Sequence, residues 1–192
     1  QKLYSSKTST AKSIIESVST IQLLIQAGCC LSCGIGDPDE IDHFLPKEHF
    51  PEFSILHKNL VPICGTCNQI KGENIPGNGR DYFHPMFDNL PDEPFLHCEI
   101  TYLNEIPKAH FSINPLFNGN IIKIHFDNLN LSTRLEKKAR QYFLQIKALQ
   151  TDINNDYARE EIGRDKTKLG VLIGTHYWKY ILCDKMLETN YV

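Results

Sequence analysis

The sequence predicts an α+β fold, and three observations lead there. Two C-x2-C pairs, Cys30 with Cys33 and Cys64 with Cys67, enclose a stretch interrupted by Gly34, Gly36, Asp37 and Pro38, where short strands and loops are expected. Apolar residues recur every three or four positions towards both ends of the chain, the spacing of amphipathic helices. Between the Cys-rich stretch and the last helices lie alternating and β-branched runs that suggest a small antiparallel sheet. The expected organisation is an N-terminal helix in residues 1–28, a Cys-rich core in residues 29–79, and an extension in residues 80–192 holding a small sheet and two helices.

The elements follow in order. Residues 8–27 place Ala11, Ile14, Ile15, Val18, Ile21, Leu24 and Ile25 on one helical face, and Gly28 is a natural stop. After Gly72, a run rich in Asn, Gly and Pro reads as a connection. Pro85 argues against an uninterrupted helix over residues 80–90, where Phe83, Pro85 and Phe87 are expected to pack the segment down. Strands are expected over residues 96–103, 109–113 and 121–126, with Asn118 and Gly119 as a turn. A helix over residues 132–154, capped by Ser132, carries Leu135, Ala139, Tyr142, Phe143, Ile146 and Leu149 on its inner face. A final helix over residues 165–187 completes a helical hairpin.

Composition narrows the function. With 41% hydrophobic and 22% charged residues in 192, the chain is expected to form packed domains rather than a disordered tract. No apolar run is long enough for a membrane span, and no signal-peptide pattern opens the sequence, so a cytoplasmic address without membrane association is expected. A formal net charge of −3 argues against indiscriminate coating of nucleic acid. Seven Cys is an odd count, and in an unsecreted chain two C-x2-C pairs read as metal ligands rather than disulfides.

Four thiolates from Cys30, Cys33, Cys64 and Cys67 would close a tetrahedral Zn²⁺ shell with no position left for water, which makes the site structural. Cys29 is an alternative first ligand, but only Cys30 reproduces the spacing of the second pair. Cys98 and Cys183 stand alone among apolar neighbours and read as core thiols.

Between the pairs lie Asp42-His43 and a segment running Asn59-Leu60-Val61-Pro62-Ile63-Cys64-Gly65-Thr66-Cys67-Asn68-Gln69-Ile70-Lys71-Gly72. This arrangement resembles the HNH endonuclease family, whose pattern pairs a first Cys couple and an Asp-His dipeptide with N-L-V-P-x-C-x-x-C-N-x-x-K-G. The resemblance covers about a quarter of the chain, from Cys30 to Gly72. It implies a ββα-metal core in which Asp42 and Asn68 hold one Mg²⁺ or Mn²⁺, His43 is the general base, and Asn59 braces the loop carrying His43. Asn68 stands where the family's third named residue is His, and its neutral oxygen suits a hard ion.

The chemistry is consistent with that implication. A neutral imidazole can take a proton from water near neutral pH, and a divalent ion can neutralise charge gathering on the phosphorane. A ring that serves as base needs an orienting partner, and Asn59 is the expected one. Lys71 and Arg80 are candidate contacts to phosphate, His49 and His57 read as exposed loop residues, and the basic run Arg134, Lys137, Lys138, Arg140 and Lys147 reads first as a solvated face. The expected substrate is double-stranded DNA with little sequence readout. Longer members with such a tail resemble the nuclease subunits of bacterial anti-phage cassettes, Septu-type and some retron-associated, whose partner is an ATPase. The rival expectation is a DNA-binding or partner-binding module whose cutting is silent without that ATPase.

Overall fold

The computed structural model describes residues 28–73, 81–189 and 191. The helix expected over residues 8–27, and Arg80, lie outside them. Two compact units divide the chain, Gln1–Leu90 and Pro91–Val192. Among the described residues the fold is mixed α and β, with five α-helices and two two-stranded antiparallel sheets.

In the first unit, Gly34 donates its N–H to the carbonyl of Cys30 and Cys30 donates to that of Gly36, both at 2.8 Å, which folds the first Cys pair into a tight knuckle. Gly36 is required there, because a Cβ would sit 2.9 Å from the Cβ of Cys64. Strand β1, Glu40–His43, pairs antiparallel with β2, Leu60–Ile63, with Asp42 opposite Val61 and His43 opposite Leu60. The unbroken apolar run of β2 is buried at all four positions. Helix α1, Gly65–Lys71, starts directly after Cys64 and ends at Gly72, whose φ of +54° favours glycine. One strand thus leads straight into the helix that carries Cys67, Asn68 and Lys71.

Residues 81–90 belong to this first unit, whereas division of the sequence at residue 80 groups them with the extension. Tyr82 and His84 are the buried side chains there, and Phe87, expected to pack inward, is 58% exposed. The backbone N–H of Met86 donates to Nδ1 of His84 at 3.1 Å, so Nε2 bears the proton and donates to the Lys58 carbonyl at 3.0 Å. His84 is therefore a structural residue, its ring meeting Phe44 edge-on and Phe87 at a tilt, at centroid distances of 4.3 and 4.5 Å.

In the second unit, β3, Leu96–Leu103, and β4, Ile106–Ile113, form a hairpin with Leu103 opposite Ile106. Asn104 and Glu105 make the turn with φ of 50° and 65°, the two positive values of a type I′ turn. Leu96, Cys98, Ala109, Phe111 and Ile113 face inward at alternate positions.

Residues 121–126, expected as a strand, are instead helix α2, Ile121–Asn128. Asn120 Oδ1 accepts the N–H of Ile122 at 3.0 Å, and Ile122, His125 and Phe126 bury one face. Capping and three-four spacing outweigh the β-branched composition. Asn118 and Gly119 lead into that helix rather than joining strands.

Helix α3, Leu131–Asp152, buries Leu131, Leu135, Ala139, Tyr142, Phe143 and Ile146 and packs on β4. Ser132 lies inside it rather than capping it, and its hydroxyl donates to the Phe111 carbonyl at 2.9 Å. The single final helix expected over residues 165–187 is two: α4, Asn155–Leu172, and α5, Trp178–Glu188, the latter packed on β3. Gly174 with φ of +115° breaks the run, donating its N–H to the Leu169 carbonyl at 3.0 Å. Cys98 and Cys183 are core thiols, with burial pushing them up to about 12 and about 11. Lys137, Arg140 and Lys147 lie on the solvent face of α3.

Candidate metal centre and adjoining cleft

The knuckle before β1 supplies Cys30 and Cys33, and the junction of β2 with α1 supplies Cys64 and Cys67. All four are buried, and their sulfurs lie within 4.8 Å of one another. Cys33 Sγ and Cys64 Sγ are 3.8 Å apart. Zinc–sulfur bonds of about 2.3 Å at tetrahedral angles put sulfurs about 3.8 Å apart, so the donor set fits a structural zinc ion. Cys30, not Cys29, joins the cluster. The backbone N–H of Cys64 points at Cys30 Sγ at 3.2 Å, support that thiolates receive in such sites. In the thiol state the sulfurs share protons. Hydrogen bonds, first from Cys30 and then from Cys67, hold Cys33 far below the ordinary thiol value, while contact with Cys33 pushes Cys30 up to about 12.

Beside the cluster, a cleft of about 570 Å³ opens between β1, the segment after it and α1. Asp42, His43 and Asn68 line it together, with Glu40, Glu48, Glu73 and Lys47. Four carboxylates therefore face one ammonium in its wall. A phosphodiester would meet net negative charge there unless a cation accompanied it.

His43 is buried, and Nε2 lies 3.0 Å from the Ser54 carbonyl. Because a carbonyl only accepts, the neutral ring bears its proton on Nε2 and its lone pair on Nδ1. Burial lowers the pKa of the ring below the ordinary imidazole value, opposed by the bond to Ser54, so the neutral form is favoured. Asn59 takes a different part from the ring-orienting one expected. Its Oδ1 accepts the Leu45 N–H at 2.7 Å, and its Nδ2 donates to the carbonyls of Leu45 and Phe53 at 3.1 Å each. Asn59 thus ties the segment after His43 to the residue preceding Ser54, and the ring is oriented by Ser54. Sequence reasoning missed Ser54 because its carbonyl does the work, and every residue has one.

Asp42 is also buried, and burial raises its carboxyl above the ordinary range against the opposing pull of Lys71. The Lys71 ammonium sits 3.1 and 3.0 Å from the two Asp42 oxygens. Lys71 does not extend outward as a phosphate contact would; it is 6% exposed. Asn68 donates through Nδ2 to Glu40 Oε2 at 2.5 Å. That bond fixes the amide, because a carboxylate can only accept from it. Glu40 went unremarked in the sequence, where a lone Glu at the start of a strand carries no signature.

His49 and His57 are exposed, as expected of loop residues. No helix among the described residues is long and apolar enough to cross a membrane.

Two known proteins are similar to parts of this chain. One is protein ea31 of Escherichia phage lambda, 39% identical over 91 residues, 46% of this chain and 28% of that protein. The other is Septu protein PtuB of Bacillus thuringiensis, 31% identical over 61 residues, 32% of this chain and 22% of that protein. The chain spans less than a third of the length of either relative. No family model matches the chain, and no solved structure matches it.

Proposed function

We propose that the chain is an HNH-type endonuclease, with a ββα-metal core stapled by zinc, that hydrolyses DNA phosphodiester bonds with one divalent ion as the effector of an anti-phage defence complex. The observation that carries the reading is His43: a buried, oriented and neutral imidazole in the wall of an acidic cleft shared with Asp42 and Asn68. The similarity to Septu protein PtuB supports the defence role.

Asp42 and Asn68 would hold Mg²⁺ or Mn²⁺. The fit rests on donor chemistry: both offer oxygen, and the Lys71 contacts leave further lone pairs on the Asp42 carboxylate. Bound there, the ion would offset negative charge on the phosphate and the leaving oxygen. His43 does the proton work. Nδ1 takes a proton from water as the water oxygen bonds to phosphorus, and the phosphorus–oxygen bond to the leaving strand breaks, that oxygen gaining a proton from solvent. The Ser54 carbonyl keeps the ring in the tautomer that leaves Nδ1 basic. Asn59 keeps Ser54 and the segment after His43 in register.

The test incubates the protein with plasmid and Mg²⁺ or Mn²⁺, alone and with any ATPase that a neighbouring gene encodes, in parallel with His43→Ala. Cutting by the wild type that falls at least about 100-fold in His43→Ala supports the reading, a loss in the range of general-base catalysis. Equal cutting by the variant removes His43 as base. Cutting only with the ATPase makes the chain a partner-dependent subunit, and binding without cutting in every arm makes it a binding module.

A further inference from the structure

We infer that Lys71 is a positioning residue, which locks the last turn of α1 to the Asp42-His43 step of β1 and so sets the spacing of the cleft's reactive groups. The inference rests on the nuclease reading and assigns Lys71 a part other than contact with phosphate. A lysine only 6% exposed is rare, because leaving water is costly for an ammonium unless its donors are met. Here two hydrogen bonds hold it, to Asp42 Oδ1 at 3.1 Å and to the His43 carbonyl at 3.0 Å, and Asp42 Oδ2 at 3.0 Å completes the ion pair. The same ammonium lies 5.8 Å from the centre of the Phe44 ring, so one side chain touches three consecutive residues.

The consequence is geometric. Asn68 sits one turn before Lys71 on α1, and α1 is short, so a clamp at its last residue fixes where Asn68 stands relative to Asp42. The bond to the His43 carbonyl holds the backbone from which the imidazole projects, while Ser54 holds the far side of the ring. Misplacing reacting groups by about 1 Å costs about 100-fold in rate, so loss of the clamp should appear in the chemical step. A phosphate contact would behave otherwise. It would weaken DNA binding and make the salt dependence shallower by about one unit of slope.

The test compares wild type, Lys71→Met and Lys71→Arg, each checked for one zinc per chain, in steady-state plasmid cutting with any partner that wild-type cutting requires. For Lys71→Met we expect kcat to fall about 100-fold or more, with KM and the salt dependence of DNA binding within about threefold of wild type. Lys71→Arg keeps the charge with a different reach and cannot reproduce the clamp's geometry, so its kcat should fall less than in Lys71→Met, by about three- to tenfold at constant KM. An unchanged kcat in Lys71→Met, or a loss confined to KM with a shallower salt slope, overturns the inference. Should Lys71→Met fail to hold zinc, Lys71→Arg decides alone: lowered kcat at constant KM supports the clamp, and raised KM or unchanged kcat overturns it. Wild type that cuts under no condition sinks the nuclease reading and this inference with it. Wild type that cuts beside an equally active Lys71→Met sinks the inference only.

Discussion

At the scale of single residues, the cleft depends on side chains that bind backbone. Asn59 meets one donor and two acceptors across two separate segments, and no other standard side chain of its size offers both an amide donor and a carbonyl acceptor. Asn59→Ala leaves these groups without their partner and should cost about 2–5 kcal/mol, measured as a shift of the urea midpoint at constant slope. A loss under about 1 kcal/mol would show that the segment is held by something else. This scale also marks where the sequence stopped being legible. The Cys spacing, Asp42, His43 and Asn68 could be picked out because their side chains form a recurring sequence pattern, and the three non-Cys residues do line one cleft. Ser54 could not, since its carbonyl is generic. The true partner of Lys71 was hidden for another reason: nothing in the spacing of residues 42 and 71 says that a helix end will meet a strand end.

At the scale of elements, local signals were readable where they agreed with one another and misleading where they competed. The β3–β4 hairpin alternates cleanly and turns at Asn104 and Glu105, where no turn was expected, whereas the turn expected at Asn118 and Gly119 before a third strand leads into α2 instead. Glu105 holds a φ of +65°, a region where a Cβ is strained. Glu105→Gly should therefore stabilise the second unit by about 1 kcal/mol, raising its melting temperature by about 4 °C. The melt can be followed by fluorescence of Trp178, the only tryptophan, and an unchanged or lower midpoint would mean that the cross-strand contacts of Glu105 outweigh the relief. In α2, a run of Ile read as strand, although Asn120 caps it and its buried positions fall three and one apart. Cap and spacing decide over composition when the segment is short and half-buried.

At the scale of the whole molecule, the two units draw on different sources of stability. The second has an apolar core from α3, α4, α5 and the inner face of its hairpin. Among its described residues, the first pairs two four-residue strands and one seven-residue helix around four sulfurs, a small core of the kind that commonly needs a metal staple. Chelating the metal at neutral pH should thus unfold the first unit and abolish any cutting, while the Trp178 transition, which reports the second, keeps its midpoint within about 2 °C. A matching collapse of both signals would show that the units fold as one.

The four sulfurs come from two places in the chain, with Cys33 and Cys64 separated by 31 positions. At a synthesis rate of about 5–20 residues per second, the first pair leaves the ribosome about two to six seconds ahead of the second. Through that interval Cys30 and Cys33 are a bare dithiol with half a coordination shell, and the nascent chain has no β2 to pair with β1. Strand pairing must wait for Leu60–Ile63 and closure of the sulfur shell for Cys67, so, with zinc as the staple, the supply of free ion at the moment of translation would decide whether this half of the polypeptide is born folded.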